Sequence, residues 1–456
     1  MSNQKIALVH DYLITYGGAE RVLEALHEIW PDAPIYTAWA DHKWLNKNLL
    51  FQHTIVSEKG KKKKKRIKII CSWFDKIPFK KLLCSPLRFL APLIWKDIAK
   101  KIEKENFNAV ISSSAWYIAK GVALGNYKFQ SASWRTNPKQ IQNSNKKKIN
   151  RSQESRKLEI RNLELEIRRK PFQICYCHTP PRYLYGYDTS RDSKRPLVRL
   201  YANLVNPFMR YYDFKSSQSV DLFIANSEEV KQRIWKFYRK KAVVIYPPVN
   251  TKHQAPIRRL ADKSQTKPKF KTQNTKKRIT DYYLVVNRLV KSKNTDIAVE
   301  SCQKAGVKLK IAGEGPEEKN LESRIMNYEL KSKKKGLIEL LGYVDEEELV
   351  ELYQNCKAVI YLPRDEDFGI VPVEAMSFGK PVIGVNGGGV KETVINGKTG
   401  LLVDEARVDL VREAIKKIEI DGTRDAWSIA CKKQAEKFGK ERFKKAILEI
   451  VNKSTL

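Results

Sequence analysis

The sequence predicts a two-domain α/β protein in which each domain is a parallel sheet covered by helices on both faces. Its 456 residues suffice for two or three domains of roughly 100–200 residues each. A hydrophobic content of 42% supplies apolar side chains for buried cores. In both halves, short apolar runs alternate with amphipathic stretches, the pattern of strands joined by crossover helices. The two series are separated by residues 251–280, a lysine-rich polar stretch that reads as a linker.

The first series, residues 1–250, opens with a strand over 5–10, a loop over 11–18 and a helix ending at Trp30. Val22, Leu26 and Ile29 form the apolar stripe of that helix. Further strands are predicted at 109–113, 172–177, 221–225 and 242–246. Ligands of such sheets bind beyond the carboxyl ends of the strands, and Gly17-Gly18, His178 and Asn226-Ser227 fall there. Gly17-Gly18 fits either a tight turn or a place where a ligand nears the backbone. Asp11 fits either a cap for the first helix or a base on the side of a second substrate. Residues 137–170, rich in Lys, Arg, Gln and Asn, read as an insertion, disordered or forming its own surface element. The second series, about 281–430, has strands at 282–286, 308–312, 338–341, 358–362, 381–385 and 400–403. A final helix is expected over 431–452.

Residues 361–403 are the most informative stretch. Ala358 to Leu362 is a buried strand, 364–369 its following loop, and 370–378 a helix with Pro372 in the first turn and Gly379 closing it. The start of such a helix offers free N–H groups and a positive dipole end, a site for a phosphate. Glu366 lies in the loop, facing the reactive end of that anion. Glu374, with seven residues between it and Glu366, can reach hydroxyls farther along the ligand. Two acids beside a phosphate site suit a nucleotide-sugar.

The segment EDFGIVPVEAMSFGKPVIG and the following GGVKETVINGKTGLLV resemble the E-x7-E signature of retaining glycosyltransferases, in particular glycosyltransferase family 4. HDYLITYGGAERVLEAL, YCHTPPRYLYG, ANS, VIYPPVN, YYLVVNRLVKSKNTDIAVES and IAGEGPE resemble the same family, in the family's order. The resemblance touches about two-thirds of the chain and implies the GT-B fold: two Rossmann-like domains facing a central cleft, with the last helix crossing back to the first domain. The segment CHTPPRYLYG further resembles bacterial mannosyltransferases that use GDP-mannose.

That resemblance implies a division of labour. Arg288 and Lys293 match the pyrophosphate-binding pair, a planar fork and a point charge suited to phosphate oxygens. Asn287 stands where the family has Gly, which departs from the pattern; Asn tolerates unusual backbone angles. Gly17, Gly18, Phe368, Gly369, Ile370 and Val371 are expected around the donor. Glu374 is expected on the ribose hydroxyls and Glu366 on the sugar hydroxyls. Gly313, Glu314, Tyr343 and Val344 would frame the base. His178 is expected near the reaction centre, and Arg182 near an acceptor or donor phosphate. Attack on the front face, with the leaving phosphate taking the acceptor's proton, is the implied mechanism, since no acid is placed as a covalent nucleophile. Asp365-Glu366-Asp367 also spells D-x-D, a metal motif of another glycosyltransferase class. Arg288 and Lys293 can replace a cation's charge, so no metal or other cofactor is expected.

Seven unpatterned cysteines suit a reducing compartment. Cys175-x-Cys177-His178 has no second ligand pair at zinc spacing. No signal peptide or apolar run of about 20 residues is visible, so a cytoplasmic protein is expected. The formal net charge of +36 reflects either lysine-rich composition or an anionic partner. Lys61 to Arg66 is an unbroken basic run. Over 67–100, Trp73, Phe74, Phe79, Leu82, Phe89, Leu93 and Trp95 interleave with lysines. Residues 61–100 are therefore expected to meet an anionic membrane surface at the inner face of the plasma membrane, the alternative being that these side chains form core. The expected reaction moves a hexose, mannose favoured, to a lipid-linked or polysaccharide acceptor. A non-catalytic nucleotide-sugar-binding module is a second reading. A nucleic-acid-binding protein is a third, suggested by charge alone, with no recognised nucleic-acid module in the chain.

Overall fold

A computed structural model describes residues 4–47, 52–56, 62–122, 171–187, 196–250, 281–332, 335–421 and 425–455. The expected insertion at 137–170, the expected linker at 251–280 and Lys61 lie outside the described residues.

The first sheet has seven parallel strands: β1 (Ile6–His10), β2 (Ile35–Thr37), β5 (Ile69–Cys71), β6 (Ala109–Ser114), β7 (Phe172–Cys177), β8 (Leu222–Ala225) and β9 (Ala242–Val244). Their order is β5-β2-β1-β6-β7-β8-β9. Strands β2 and β5, each three residues long, are not among the strands expected from the sequence. Side chains of β1 alternate between two cores. Ala7 and Val9 pack with Trp95 and Ile98, whereas Ile6 and Leu8 pack with Leu23 and Leu26. That alternation follows from the two-residue period of a strand with both faces covered.

The second sheet is β10 (Tyr282–Val286), β11 (Lys308–Ala312), β12 (Ile338–Gly342), β13 (Val359–Tyr361), β14 (Val382–Val385) and β15 (Gly400–Val403). Its order, β12-β11-β10-β13-β14-β15, reverses direction between β10 and β13. The first sheet reverses between β1 and β6. Crevices at such switch points are where open α/β sheets take ligands.

The helix Asp425–Ala435 stays with the second domain, burying Cys431 and Ala435 in its core. The helix Lys440–Thr455 is the one that crosses. Phe443, Ile447 and Val451 enter the core of the first domain, and Lys444 pairs with Glu28 at 2.6 Å. The crossing thus begins later than the expected start at Cys431.

The basic run forms a strand: β4 (Lys62–Arg66) pairs antiparallel with β3 (Gln52–Val56). Phe74 and Trp95 are fully buried in the first core, which corrects their expected place at a membrane. Phe79 and Leu82 are 81% and 75% exposed. No described helix is long and apolar enough to cross a membrane.

Candidate functional site

At the switch point of the second sheet, the loops after β10 and β13 meet. Lys293 ends a short turn, Lys291–Lys293, and its ammonium lies 2.6 Å from a Glu366 carboxylate oxygen. The Arg364 N–H donates to the Ser292 carbonyl at 2.9 Å, and the Asn294 amide to the Leu362 carbonyl at 2.8 Å, which ties the two loops together. Burial works to raise the Glu366 carboxyl. Lys293, Arg182 and the Tyr361 hydroxyl outweigh it and hold the group below its usual range. Glu366 is therefore an anion at neutral pH, able to accept hydroxyl hydrogen bonds.

The helix Ile370–Ser377 begins beside this pair, with Gly369 as its cap in the left-handed region (φ 87°). Its first-turn N–H groups, at Ile370 and Val371, have no intrahelical acceptor and present a positive end to an anion. Arg288 is exposed at the end of β10, with no ion-pair partner among the described residues. Asn287 does not take an unusual backbone angle; its side chain instead accepts from the Thr295 hydroxyl at 3.2 Å. The Gly313 N–H donates to the Gly342 carbonyl at 2.8 Å, and the Leu289 N–H to the Glu314 carbonyl at 2.9 Å, which draws together the loops expected to frame the base. Tyr343 is 77% exposed, an open ring face beside Val344. Phe368 is different from its expectation. Its ring is buried against Tyr246 and Phe438, so it anchors the loop and does not face a donor.

Glu374 sits one turn into the helix. Its carboxylate accepts from the Tyr353 hydroxyl at 2.9 Å and pairs with Arg21 of the first domain's opening helix, Gly18–Ile29. The Glu374 charge in turn raises the Arg21 guanidinium above its ordinary value, against desolvation. Gly17 caps that helix, and its N–H donates to the Glu20 carboxylate at 2.9 Å. Gly18 faces Ile370: a Cβ there would lie 2.8 Å from the Ile370 Cδ1. The close approach expected at this glycine is therefore, in this structure, that of the other domain.

Within the D-x-D sequence, the Asp367 carboxylate is held by the protein's own cations. Asp367 pairs with Arg233 at 2.5 Å and with Arg182 at 2.8 Å. Arg182 also donates to the Asp365 carbonyl at 2.5 Å, and Asp365 is held at φ 55°. The Ser227 hydroxyl donates to the Asp367 carbonyl at 2.5 Å. Arg182 thus grips the donor loop across the cleft, where a phosphate contact was expected. Arg233, 3% exposed, was missed. Its only signal is Glu229 four residues earlier on the helix Glu228–Tyr238, and that pair forms at 3.1 Å.

On the first domain, His178 joins a chain that runs Glu20–His10–Ser113–His178. The separations are 3.4 Å, 3.1 Å and 2.8 Å in that order. Burial, then His10, pushes the His178 imidazole down to about 3, with Glu20 opposing. It is a neutral hydrogen-bonding ring at pH 7. Asp11 is corrected from both of its expected roles: its carboxylate accepts from the N–H groups of Ala115 (2.8 Å), Tyr117 (3.0 Å) and Ala119 (2.8 Å). It is 5% exposed and fixes the loop after β6. Cys175 and Cys177 are buried in a different core from the His178 network. Among the described residues, His42, Cys71 and Asp75 place ligand atoms within 4.8 Å of one another, but Lys80 already holds Asp75 at 2.5 Å.

Two Rossmann-like domains whose switch-point loops meet across a cleft define a GT-B glycosyltransferase. HepE of Anabaena, solved with UDP, superposes with a TM-score of 0.62 at 15% identity, covering 98% of this chain and 100% of that one. The family description "Glycosyl transferases group 1" matches residues 266–441, and "Glycosyltransferase Family 4" matches residues 148–253. The chain belongs to glycosyltransferase family 4. It is similar to the alpha-1,3/1,6-mannosyltransferase ALG2 of Dictyostelium discoideum, 29% identical over 50% of this chain and 57% of the relative. The human ALG2 is 28% identical over 63% of this chain and 69% of the relative. The chain thus spans little more than half the length of the first of these relatives.

Proposed function

We propose that this protein is a retaining mannosyltransferase that moves mannose from GDP-mannose to a lipid-linked or polysaccharide acceptor in cell-surface glycan synthesis. The observation that carries the reading is the Lys293–Glu366 pair at 2.6 Å, set beside the free N–H groups of the helix Ile370–Ser377. An anion-binding helix end, two cations and two carboxylates along one cleft match the charge pattern of a nucleotide-sugar. The similarity to ALG2 relatives supports mannose as the sugar.

In this reading Arg288, Lys293 and the Ile370 and Val371 N–H groups hold the pyrophosphate. They stabilise the negative charge that develops as the sugar C1–oxygen bond breaks. Glu366 holds sugar hydroxyls and Glu374 the ribose. The acceptor hydroxyl attacks C1 from the face the diphosphate leaves, its oxygen forms the new bond, and a leaving phosphate oxygen takes the proton. His178, neutral, serves as a hydrogen-bonding partner beside C1. No metal is required, because protein cations meet the leaving charge and Asp367 is taken by Arg182 and Arg233. The site of action is cytoplasmic, at the inner membrane face.

The test is NMR of GDP-mannose turnover in EDTA, reading the anomer first formed. Retention predicts the α-anomer without added metal. A β-anomer, or a strict requirement for Mg²⁺ or Mn²⁺, would overturn the mechanism.

A further inference from the structure

The helix Pro196–Gln218 carries an apolar stripe that the described chain leaves open. Leu197, Leu200, Leu204, Phe208 and Tyr211 recur at three- and four-residue steps. At about 100° per residue they share an arc of about 80°. Each is between 52% and 79% exposed. The packing face is a different one: Met209 and Asp213 are buried, and Asp213 pairs with Lys120 at 2.5 Å. The stripe is therefore not needed to hold the helix on its domain.

Charge indicates what covers it. The exposed charged side chains of this helix are Arg199, Arg210 and Lys215, and its one acid, Asp213, is buried. Beside the helix lies the turn that holds exposed Phe79 and Leu82. The two are joined by the Tyr201 hydroxyl donating to the Pro86 carbonyl at 2.5 Å and by Arg88 donating to Asn206 at 2.8 Å. In that turn Lys76 is exposed, Lys81 is exposed but paired with Asp41 at 2.5 Å, and Asp75 is neutralised by Lys80. A second copy of the chain would bring the same cations to the contact and be repelled.

We propose that the Leu197–Tyr211 stripe and the Phe79–Leu82 turn form one docking surface for an anionic lipid bilayer. The apolar side chains enter the top of the acyl region, and Arg199, Arg210 and Lys215 stay at the lipid phosphates, as in helices that lie in a membrane interface. The inference rests on the reading of a lipid-linked acceptor and adds which surface brings the enzyme to it.

Co-sedimentation with vesicles of phosphatidylcholine containing about 30% phosphatidylglycerol, and with phosphatidylcholine alone, tests it. The protein should bind the anionic vesicles and not the neutral ones. A triple variant Leu200→Ser, Leu204→Ser, Phe208→Ser, at exposed positions, should lose at least tenfold in vesicle affinity (order of magnitude) while keeping its circular dichroism and donor affinity. Glutamine at Arg199, Arg210 and Lys215 should lose about fivefold per cation. Unchanged vesicle binding by the serine variant, or a homodimer that the serine variant dissolves, would overturn the proposal. Vesicle binding by a protein that takes no nucleotide-sugar would support the docking surface and overturn the functional reading alone.

Discussion

Arg21, on the first helix of the N-terminal domain, forms an ion pair with Glu374, the acid one turn into the helix after the donor loop. The pair spans the cleft, and it occupies the carboxylate assigned to the ribose. In the proposed reading, a donor displaces Arg21 to reach Glu374. Arg21→Ala should raise nucleotide-sugar affinity about three- to tenfold, since a partly buried charged hydrogen bond no longer competes. Glu374→Ala should lower it by at least tenfold. Isothermal calorimetry reads both, and weaker binding by Arg21→Ala would assign that guanidinium to the donor itself.

Lys293→Met leaves Glu366 in a buried place without its main counter-charge. Burial, which works to raise the carboxyl, is then opposed by Arg182 and the Tyr361 hydroxyl without Lys293, so the carboxyl rises. In the intact protein the depressed carboxyl keeps its charge above the ordinary carboxylate range and loses it only as pH falls through the lowered folded value. In the variant, donor affinity should fall as pH drops from about 8 to about 5.5, while the intact protein stays flat. Parallel pH profiles would separate Glu366 from Lys293.

Arg233→Ala removes a buried cation that Asp365 and Asp367 of one loop share. Asp367 would keep Arg182, but Asp365 and Glu229 lose a donor. Urea denaturation should show a loss of about 2–5 kcal/mol, the range for truncating one member of a buried charge pair at an interface. A loss below about 1 kcal/mol would mean that Arg182 alone closes the loop.

Gly388 lies against the donor loop with φ +53°, and a Cβ there would come 2.3 Å from the Glu366 carbonyl oxygen. Gly388→Ala should displace Glu366 and lower kcat/KM about a hundredfold. Gly397, at φ +74° with open space around it, serves as the control. Its alanine variant should cost about 1 kcal/mol of stability, from the backbone angle, and leave kcat/KM intact. Equal effects on turnover would contradict a positioning role for the glycine run at 387–389.

His178 should bind no proton in the folded chain until pH falls to about 3, whereas the unfolded chain takes one up near 6.5. Its contribution to stability is complete above about pH 6.5 and declines below it, by up to about 1.4 kcal/mol per pH unit. Denaturation of the intact protein and of His178→Gln, compared between about pH 7.5 and 5, should show a steeper decline for the intact protein. Identical slopes would place a charged ring in the fold.

Much of this architecture is legible in the sequence because it is local. The strand–loop–helix from Ala358 to Gly379 can be read from an apolar run, a proline and a glycine, and Lys293 with Glu366 from the motifs that hold them. Contacts between distant segments are not legible. Nothing in the spacing of Arg21, His10 or Arg233 says that the fold brings them to Glu374, Ser113 or Asp367. Asp11 shows the converse: its place after the first strand suggests chemistry, yet three backbone N–H groups far along the chain take its oxygens. Phe74 and Trp95 look like membrane anchors beside lysines, and only the packing shows them as core. The stripe on Pro196–Gln218 was readable at helical spacing, but periodicity cannot say which face of a helix is left open.

The most direct test is calorimetric binding of GDP-mannose, UDP-glucose, UDP-galactose and UDP-N-acetylglucosamine in EDTA, with the Arg288→Ala, Glu374→Ala double variant as control. The account predicts selective, metal-free binding of GDP-mannose that the double variant loses. Selective binding of a UDP-sugar would contradict mannose as the sugar, and binding of none would contradict the donor site.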